Sequence, residues 1–137
     1  PRTDDDTLRL HATLLRQGQP VHLSALHPMP PLSSAYAQAR DHALRDEALR
    51  LSQSGGLGVM AGDLNTTPWA RGLWGAEQAQ MRRAGLAVPT WPNAWGGLSV
   101  LPLDHVLASP GWQLVEAHTG PDLGSDHRPM VVRLVAR

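Results

Sequence analysis

The sequence predicts an α/β (α+β) fold, a mixed β-sheet with helices on one face. Segments of strand and helix periodicity follow one another in the order β-β-α-β-α-β-β-β along 137 residues. Hydrophobic residues make up 42% and charged residues 18% of the chain, which is typical of a globular domain. Aromatic residues are only 4%, with no Phe, so aliphatic side chains are expected to form the core.

Composition excludes several kinds of site. The chain has 12 basic and 12 acidic residues and a formal net charge of zero, so it lacks the basic footprint of a protein that grips many phosphates. Cysteine is absent, which excludes disulfides and thiolate metal sites. No run is long and apolar enough to span a membrane and no signal-peptide pattern appears, so a soluble domain is expected and its compartment stays open.

Two strands open the chain. Residues 8–14 alternate apolar and polar side chains, residues 16–20 are typical of a turn, and residues 21–26 resume as a second strand. Prolines at positions 28, 30 and 31 end this hairpin. His27 is therefore expected at a strand end.

A helix is predicted over Ala35–Ser52, with Ser33 or Ser34 as its N-cap. Its expected core face consists of the apolar residues Ala37, Leu44, Ala48 and Leu51. The charged residues are expected to face solvent: Arg40, Asp41, Arg45, Asp46, Glu47 and Arg50. A second, weaker helix is predicted over residues 70–83, interrupted by two glycines.

Between the helices lies the stretch that organises the chain. Val59 and Met60 are typical of a buried strand, and Pro68 prevents that strand from continuing. Asp63 and Asn65 would then lie just past its carboxyl end, where open α/β sheets bind ligands. An ordinary turn explains the same pattern about equally well when the stretch is taken alone.

Three more strands are predicted at residues 103–109, 112–118 and 130–135, with a polar turn at residues 124–129. A loop at residues 88–97 carries Trp91 and Trp95, which fit either a hydrophobic lid on the core or the rim of a substrate site. The core interpretation is favoured for Trp91. Trp95 is left open, as a candidate for substrate binding.

Polar side chains gather at four predicted strand ends: His27, Asp63 with Asn65, Asp104, and Asp126 with His127. A carboxylate that accepts the imidazole N–H fixes its tautomer and raises its pKa, and neutral or protonated His can then serve as base or acid. Acidic residues without Cys suit a hard cation such as Mg²⁺.

The four segments resemble the C-terminal half of the endonuclease/exonuclease/phosphatase superfamily, which includes deoxyribonuclease I. They come in the order found in that superfamily: Leu26-His27-Pro28, Gly62-Asp63-Leu64-Asn65, Leu103-Asp104-His105-Val106-Leu107 and Ser125-Asp126-His127-Arg128-Pro129. The resemblance implies half of a four-layer α/β sandwich. Residues 1–137 would form the C-terminal half of the domain, with the N-terminal half outside this chain.

Roles follow from the resemblance. It implies that His27 stabilises or protonates the phosphate side, that Asp63 aligns or deprotonates the attacking water, and that Asn65 donates to the pentacoordinate phosphorus. It further implies that Asp104 orients His127, the second catalytic histidine. We expect an Asp104–His127 hydrogen bond that raises the pKa of His127. Asp126 is implied as a metal-side carboxylate.

One departure concerns the metal. The family's principal metal-binding Glu and an early Asn lie in the N-terminal half, and this chain offers no match. The implied cofactor is Mg²⁺, with Mn²⁺ or Ca²⁺ as alternatives, and little activity is expected from these residues alone. The sheet face meant for the other half would be exposed, so the chain is expected to bind its own N-terminal half or to form a homodimer.

The leading hypothesis is a magnesium-dependent phosphoesterase, either a phosphodiesterase or nuclease or a phosphatase, in which activated water attacks in line. Calcineurin-like metallophosphoesterases also use a Gly-Asp signature, but they need a downstream Gly-Asn-His that is not found here. The non-enzymatic alternative is a binding or scaffold fragment that retains the site residues. Nucleic acid, phospholipid and inositol phosphate are all compatible substrates.

Overall fold

The computed structural model describes residues 7–85, 87–94 and 99–137. The elements within these ranges are β1 Leu8–Arg16, β2 Gln19–His27, α1 Ser34–Ser52, β3 Leu57–Asp63, a 3₁₀ turn Arg71–Leu73, α2 Trp74–Gln78, β4 Arg82–Arg83, β5 Asp104–Ala108, β6 Trp112–Thr119 and β7 Met130–Ala136. Five of these strands form one sheet in the order β1-β2-β3-β5-β4, and β6 and β7 pair as a separate ribbon. The sheet is mixed, because β2 and β3 are parallel and its other pairs are antiparallel. The predicted mixed sheet is confirmed, although its last two predicted strands leave it.

The β1–β2 hairpin turns on two residues, Gln17 and Gly18. Both have positive φ, 53° and 81°. A two-residue turn of this kind matches the right-handed twist of the strands it joins. The predicted hairpin is therefore present, with longer strands than the sequence indicated.

Helix α1 begins as predicted, because the Ser33 side chain accepts a hydrogen bond from the Tyr36 N–H over 3.2 Å. The prediction for its charged face is wrong at two positions, since Arg40 is 7% and Glu47 is 4% exposed. Glu47 is satisfied inside the protein by hydrogen bonds of 2.6 Å from both Ser24 Oγ and Arg50 Nε. Burial alone would raise the pKa of Glu47, but the bonds from Arg50 and Ser24 outweigh it and lower that pKa.

The second predicted helix, residues 70–83, is far shorter in the structure. The 3₁₀ turn and α2 occupy residues 71–78, and Arg82 and Arg83 instead pair with Ala108 and Leu107 of β5. Gly75 packs closely on α1, because a Cβ there would lie 2.9 Å from the Cβ of Arg45. Strand pairing and this close packing override the weak helical periodicity.

The core lies between the helices and one face of the sheet. It is aliphatic, as predicted, and contains Leu26, Leu44, Ala48, Leu51, Met60, Leu64, Leu73, Ala76, Ala79, Met81 and Leu107. Both helices therefore cover the same face. No helix in the described part of the chain combines the length and apolar character that a membrane crossing needs.

No helix in the ranges that the structure describes packs on the other face of the sheet, and we call it the open face. Strand register aligns Leu10, Ala25, Ala61 and Val106 in one row across it. Leu8, Leu10 and Leu14 on β1 are 62%, 64% and 55% exposed. The remaining members of the open face are Ala12, Leu23 and Val59, which the same register places beside them.

Candidate active site

Three predicted site residues meet at one end of the sheet. His27 is the last residue of β2, Asp63 is the last residue of β3 and Asp104 is the first residue of β5. Because β3 is parallel to β2 and antiparallel to β5, these ends coincide, and Asp63 pairs directly with Asp104. The alternation of side chains along each strand directs all three toward the side of the open face.

His127 reaches the same place from the loop between β6 and β7. Its Nδ1 lies 2.7 Å from Asp104 Oδ2 and its Nε2 lies 3.7 Å from Asp63 Oδ2. His27 Nε2 lies 3.6 Å from the same Asp63 oxygen. A single carboxylate oxygen of Asp63 therefore faces two imidazoles, one of which is braced by a second carboxylate. The predicted Asp104–His127 hydrogen bond is confirmed.

The backbone around Asp63 is unusual at two positions. Gly62 has φ 150°, and a Cβ there would lie 2.0 Å from the carbonyl oxygen of Leu26, so this position requires glycine. Asn65 has φ 48°, a left-handed conformation that Asn tolerates better than most residues. In this conformation the Asn65 N–H donates to Asp63 Oδ1 over 2.9 Å, and Asn65 Nδ2 donates to the Pro28 carbonyl over 2.9 Å.

The loop that carries His127 is tied to the segment around Trp91. The Asn93 N–H and Nδ2 donate to the carbonyls of Asp126 and Ser125 over 2.6 and 2.9 Å. The Trp91 ring centroid lies 6.4 Å from that of His127, and both residues line a cleft of about 660 Å³ that also contains His27, Asp63 and Asn65. The core interpretation of Trp91 is therefore wrong, because this half-buried ring forms a wall of the cleft. Trp95 lies outside the described residues.

The surroundings of the site raise the pKa of both Asp63 and His127. Burial raises the pKa of the Asp63 carboxyl, and the nearby Asp104 charge raises it further, against the bond from the Asn65 N–H. For His127, burial acts to lower the pKa, but the hydrogen bond and charge of Asp104, together with Asp63 and Asp126, raise it above its ordinary value. A histidine and a carboxyl that both hold protons more readily than usual therefore stand side by side.

A cation could be held in part by these groups. One ligand atom from each of Asp63, Asp104 and His127 lies within 4.8 Å of the others, and the described residues contain no other such cluster. The Asp104–His127 hydrogen bond uses Nδ1 of the ring, so Nε2, 3.7 Å from Asp63 Oδ2, is the nitrogen left for a cation while that bond is kept. Asp126, the predicted metal ligand, is exposed and lies outside this cluster, although it lines the same cleft. Its metal role stays a prediction.

Two residues at the site were not predicted from the sequence. Arg40 Nη1 donates to the Asn65 carbonyl over 2.7 Å, and His105 Nε2 donates to the Thr66 carbonyl over 2.8 Å. His105 follows Asp104 directly in the sequence, and this adjacency to a predicted site residue is the one sequence feature that could have marked His105. Arg40 lies 25 positions before Asn65, and nothing local marks it as a contact of that residue.

Comparison with solved structures shows the same fold in proteins of low sequence identity. TDP2 of D. rerio complexed with a single strand DNA product is 15% identical, with a TM-score of 0.75, over 98% of this chain and 64% of that one. An endonuclease/exonuclease/phosphatase from Beutenbergia cavernae DSM 12333 is 23% identical, with a TM-score of 0.68. The match covers 93% of this chain and 39% of that one. The mannosyl-6-phosphatase Bt3783 of Bacteroides thetaiotaomicron VPI-5482 is 15% identical, with a TM-score of 0.65. The match covers 86% of this chain and 52% of that one.

The chain spans less than two thirds of the length of these structures. No curated protein matches its sequence. The sequence model of the endonuclease/exonuclease/phosphatase family matches residues 1–127, which include every predicted site residue. The chain therefore belongs to the endonuclease/exonuclease/phosphatase family.

Proposed function

We propose that this chain forms part of a divalent-metal-dependent phosphoesterase that hydrolyses a phosphate ester by in-line attack of water. Endonucleases, exonucleases and phosphatases all cleave phosphate esters, so family membership supports the reaction class. The observation that carries the proposal is the position of Asp63 Oδ2, 3.6 Å from His27 and 3.7 Å from His127. Proton acceptors and donors at this spacing suit water activation and leaving-group protonation.

Each side chain has a chemical task in this proposal. Asp63 aligns the attacking water and accepts its proton through Oδ2, because Oδ1 is occupied by the Asn65 N–H. Asp104 holds the proton of His127 on Nδ1, so that Nε2 faces the cleft and the imidazolium stabilises negative charge on the phosphorane. His27 acts on the phosphate side. Asn65 Nδ2 has a second hydrogen beyond the one it gives to Pro28, and this hydrogen is available to a phosphate oxygen.

The residues present are compatible with a hard cation such as Mg²⁺, or alternatively Mn²⁺ or Ca²⁺. Carboxylate oxygens of Asp63 and Asp126 on the cleft wall are the ligand type that such cations prefer. A bound cation would supply positive charge that polarises the phosphate. This chain's own contribution is to place Asp63 and the two histidines around the phosphate.

The open face supports a partner. Leucines at 62% and 64% exposure on β1 form an apolar surface that is unfavourable in water. We propose that the N-terminal half of the same domain, or else a second copy of the chain, covers it. The share of the matched structures that this chain spans, 39% to 64% in the comparisons above, supports the first of these.

Two substrate types have structural support among the neighbours. One neighbour was crystallised with a single strand DNA product, which favours a nucleic-acid diester, and another is a mannosyl-6-phosphatase, which favours a sugar monoester. Phospholipid and inositol phosphate esters carry the same reacting group. Turnover of bis-p-nitrophenyl phosphate against p-nitrophenyl phosphate by the full-length protein distinguishes diesterase from monoesterase.

The test of the proposal uses the full-length protein with and without Mg²⁺. We expect turnover of one of the two p-nitrophenyl esters that is lost on chelation and restored by Mg²⁺. Calorimetric titration with Mg²⁺ should show saturable binding. Absence of both turnover and Mg²⁺ binding would contradict the proposal and favour a non-catalytic binding or scaffold role.

A further inference from the structure

The turn that follows β3, residues 63–66, carries Asp63 and Asn65, and we call it the β3 turn. Two consecutive carbonyl groups of this turn are held by side chains from different elements. Arg40 of α1 donates to the Asn65 carbonyl over 2.7 Å, and His105 of β5 donates to the Thr66 carbonyl over 2.8 Å. The turn is therefore fixed to the helix and to the neighbouring strand at once.

Arg40 is itself held in a single orientation. Its side chain is 7% exposed, and its Nε and Nη2 both donate to Asp41 Oδ1, over 2.9 and 2.7 Å. This fork fixes the plane of the guanidinium and directs Nη1 at the Asn65 carbonyl. Burying a charged group is costly unless it makes such bonds, and an apolar side chain would fill the space at lower cost. The buried guanidinium of Arg40 therefore serves to hold the Asn65 carbonyl of the β3 turn.

His105 provides the second attachment from β5. It is 5% exposed, and its Nε2 must carry the proton because the Thr66 carbonyl can only accept. The Leu64 N–H donates to the Leu103 carbonyl over 3.0 Å, which extends the pairing of β3 with the β5 segment into the turn. Together these bonds leave the backbone at Asn65 little freedom.

The conformation held in this way sets the direction of Asp63. Asn65 has φ 48°, and its N–H holds Asp63 Oδ1, so that the other carboxylate oxygen faces His27 and His127. A rotation of the Asn65 peptide out of the left-handed region would break that bond and release the carboxylate. Displacements of about 1 Å in catalytic groups can reduce rates by roughly 100-fold.

We propose that Arg40 and His105 are positioning residues, which hold the β3 turn in the conformation that aims Asp63 and Asn65 at the substrate. The effect on turnover rests on the proposed phosphoesterase function, whereas the effect on the turn does not. Neither side chain touches the reacting atoms in this role. Arg40 acts through the Asn65 carbonyl and His105 acts through the Thr66 carbonyl.

The first experiment measures the turn directly by hydrogen exchange of the Asn65 amide in the full-length protein. Arg40→Met should accelerate this exchange by about tenfold or more, because the opening of the turn becomes easier. Arg45→Met is the matched control, since Arg45 pairs with the adjacent Asp46 in the same way but is 52% exposed. It should change Asn65 exchange by less than about twofold. Arg40→Lys should restore part of the protection, because Lys can still donate one bond to the carbonyl.

The second experiment measures turnover of the p-nitrophenyl ester that the wild type accepts. Arg40→Met and His105→Phe, which remove the donors but keep side chains of similar size, should each lower kcat by about 10- to 100-fold with KM within about twofold. The double variant should lose less than the product of the two effects, because both residues hold the same turn. Arg45→Met should retain wild-type kcat.

Distinct results would overturn the proposal. Unchanged Asn65 exchange in a folded Arg40→Met protein would show that the turn does not depend on this contact. A raised KM at unchanged kcat would show that the residues serve binding rather than alignment. If Arg40→Met does not fold, His105→Phe carries the same two measurements, and Arg40→Lys should show a smaller effect in the same direction. Faster Asn65 exchange in a protein whose wild type hydrolyses neither ester would support the positioning role and contradict only the proposed function.

Discussion

Asp104 and His127 are 23 residues apart in sequence, yet Nδ1 of His127 lies 2.7 Å from Oδ2 of Asp104. The carboxylate fixes the tautomer of the ring, because the nitrogen that faces it must carry a proton. It also leaves Nε2 directed toward Asp63. One hydrogen bond thus sets the tautomer and the orientation of this histidine and contributes to its raised pKa.

Replacing Asp104 with Asn should lower the pKa of His127, because a neutral amide oxygen replaces the charged acceptor that raises it. NMR titration of the His127 ring protons measures the change. The raised pKa also predicts a pH dependence of stability. This contribution is complete below the unfolded value of about 6.5 and is lost as the pH rises through the higher folded pKa.

The control for this experiment is Glu116→Gln, which removes the carboxylate 3.3 Å from a different histidine, His118 on β6. It should leave the His127 titration unchanged. A His127 titration that is the same in the wild type and in Asp104→Asn would show that the pair does not form in solution.

Replacing Asp63 with Asn should lower kcat of the full-length protein by about 10²- to 10⁴-fold, the range of a general base, with a small change in KM. The amide keeps the shape and the bond to the Asn65 N–H but cannot accept the proton of water. In the wild type, kcat should fall with acidification through a pKa above the ordinary value for Asp, since burial and Asp104 raise it. Asp46→Asn, at an exposed carboxylate, is the control. Wild-type kcat in Asp63→Asn would rule out the base role.

The sequence predicted the position of His27, Asp63 and Asp104 well, because strand ends can be located from proline, glycine and alternation. Neighbouring strand ends then meet for geometric reasons. The burial of Arg40 and Glu47 was missed, because their partners Asn65 and Ser24 lie 25 and 23 positions away in the sequence. Helical periodicity assigns charged residues to solvent unless a buried polar partner is known, and that partner is set by tertiary packing.

The prediction of a second helix over residues 70–83 was too long for a related reason. Residues 70–83 have a weak helical pattern, but Arg82 and Arg83 complete the hydrogen bonds of β5. An exposed strand edge gains backbone bonds from any neighbouring segment, and this gain exceeds the small differences in helix propensity. The core interpretation was favoured for Trp91 over the rim of a substrate site, whereas its position beside His127 depends on loop contacts that the sequence does not reveal.

Replacing Glu47 with Gln should destabilise the protein by about 2 kcal/mol, since hydrogen bonds to a charged group contribute roughly 1.5–3 kcal/mol. The carboxylate is 4% exposed and accepts bonds from Ser24 and Arg50, with His11 Nε2 at 3.1 Å. Urea unfolding at neutral pH measures the loss. Glu77→Gln, at a 43% exposed carboxylate 3.7 Å from Arg83, should cost less than about 1 kcal/mol.

The pH dependence offers a second check on Glu47. Its pKa is lowered in the folded state, so its contribution is present above the unfolded value of about 4.3 and is lost as the pH falls through the folded pKa. The difference in unfolding free energy between wild type and Glu47→Gln should therefore shrink on acidification. A difference that does not vary with pH would contradict the charged network.

The open face should drive association of the 137-residue chain. Burial of apolar area contributes about 25 cal/mol per Å², and a standard interface buries roughly 800 Å² on each partner. Leu10→Arg, at a residue of β1 that is 64% exposed on the open face, should weaken self-association in sedimentation equilibrium at micromolar concentration. Leu123→Arg, at a residue 72% exposed in the loop between β6 and β7 rather than on the open face, should not. A wild-type chain that is monomeric and cooperatively folded would contradict the prediction.

Gly62→Ala should destabilise the protein by about 3 kcal/mol or more, because the added Cβ would meet the Leu26 carbonyl at 2.0 Å in a backbone conformation that alanine avoids. Gly124→Ala is the control, since Gly124 also has positive φ but has nothing within 4 Å of the added atom. Its cost should be limited to about 1 kcal/mol of backbone strain. Thermal unfolding of both variants separates steric contact from strain, and equal losses would contradict the close approach.

His27, Asp63 and Asp104 point to the same side of the sheet as the exposed leucines of β1. Any partner that covers those leucines also changes the solvent around the three polar groups. Partner binding and phosphate-ester binding are then linked by a coupling free energy. Thermodynamic reciprocity then applies: if the partner strengthens phosphate-ester binding by some factor, the phosphate ester strengthens partner binding by the same factor. In that case, bound substrate would stabilise the assembly of the chain with its partner, and removal of substrate would favour dissociation.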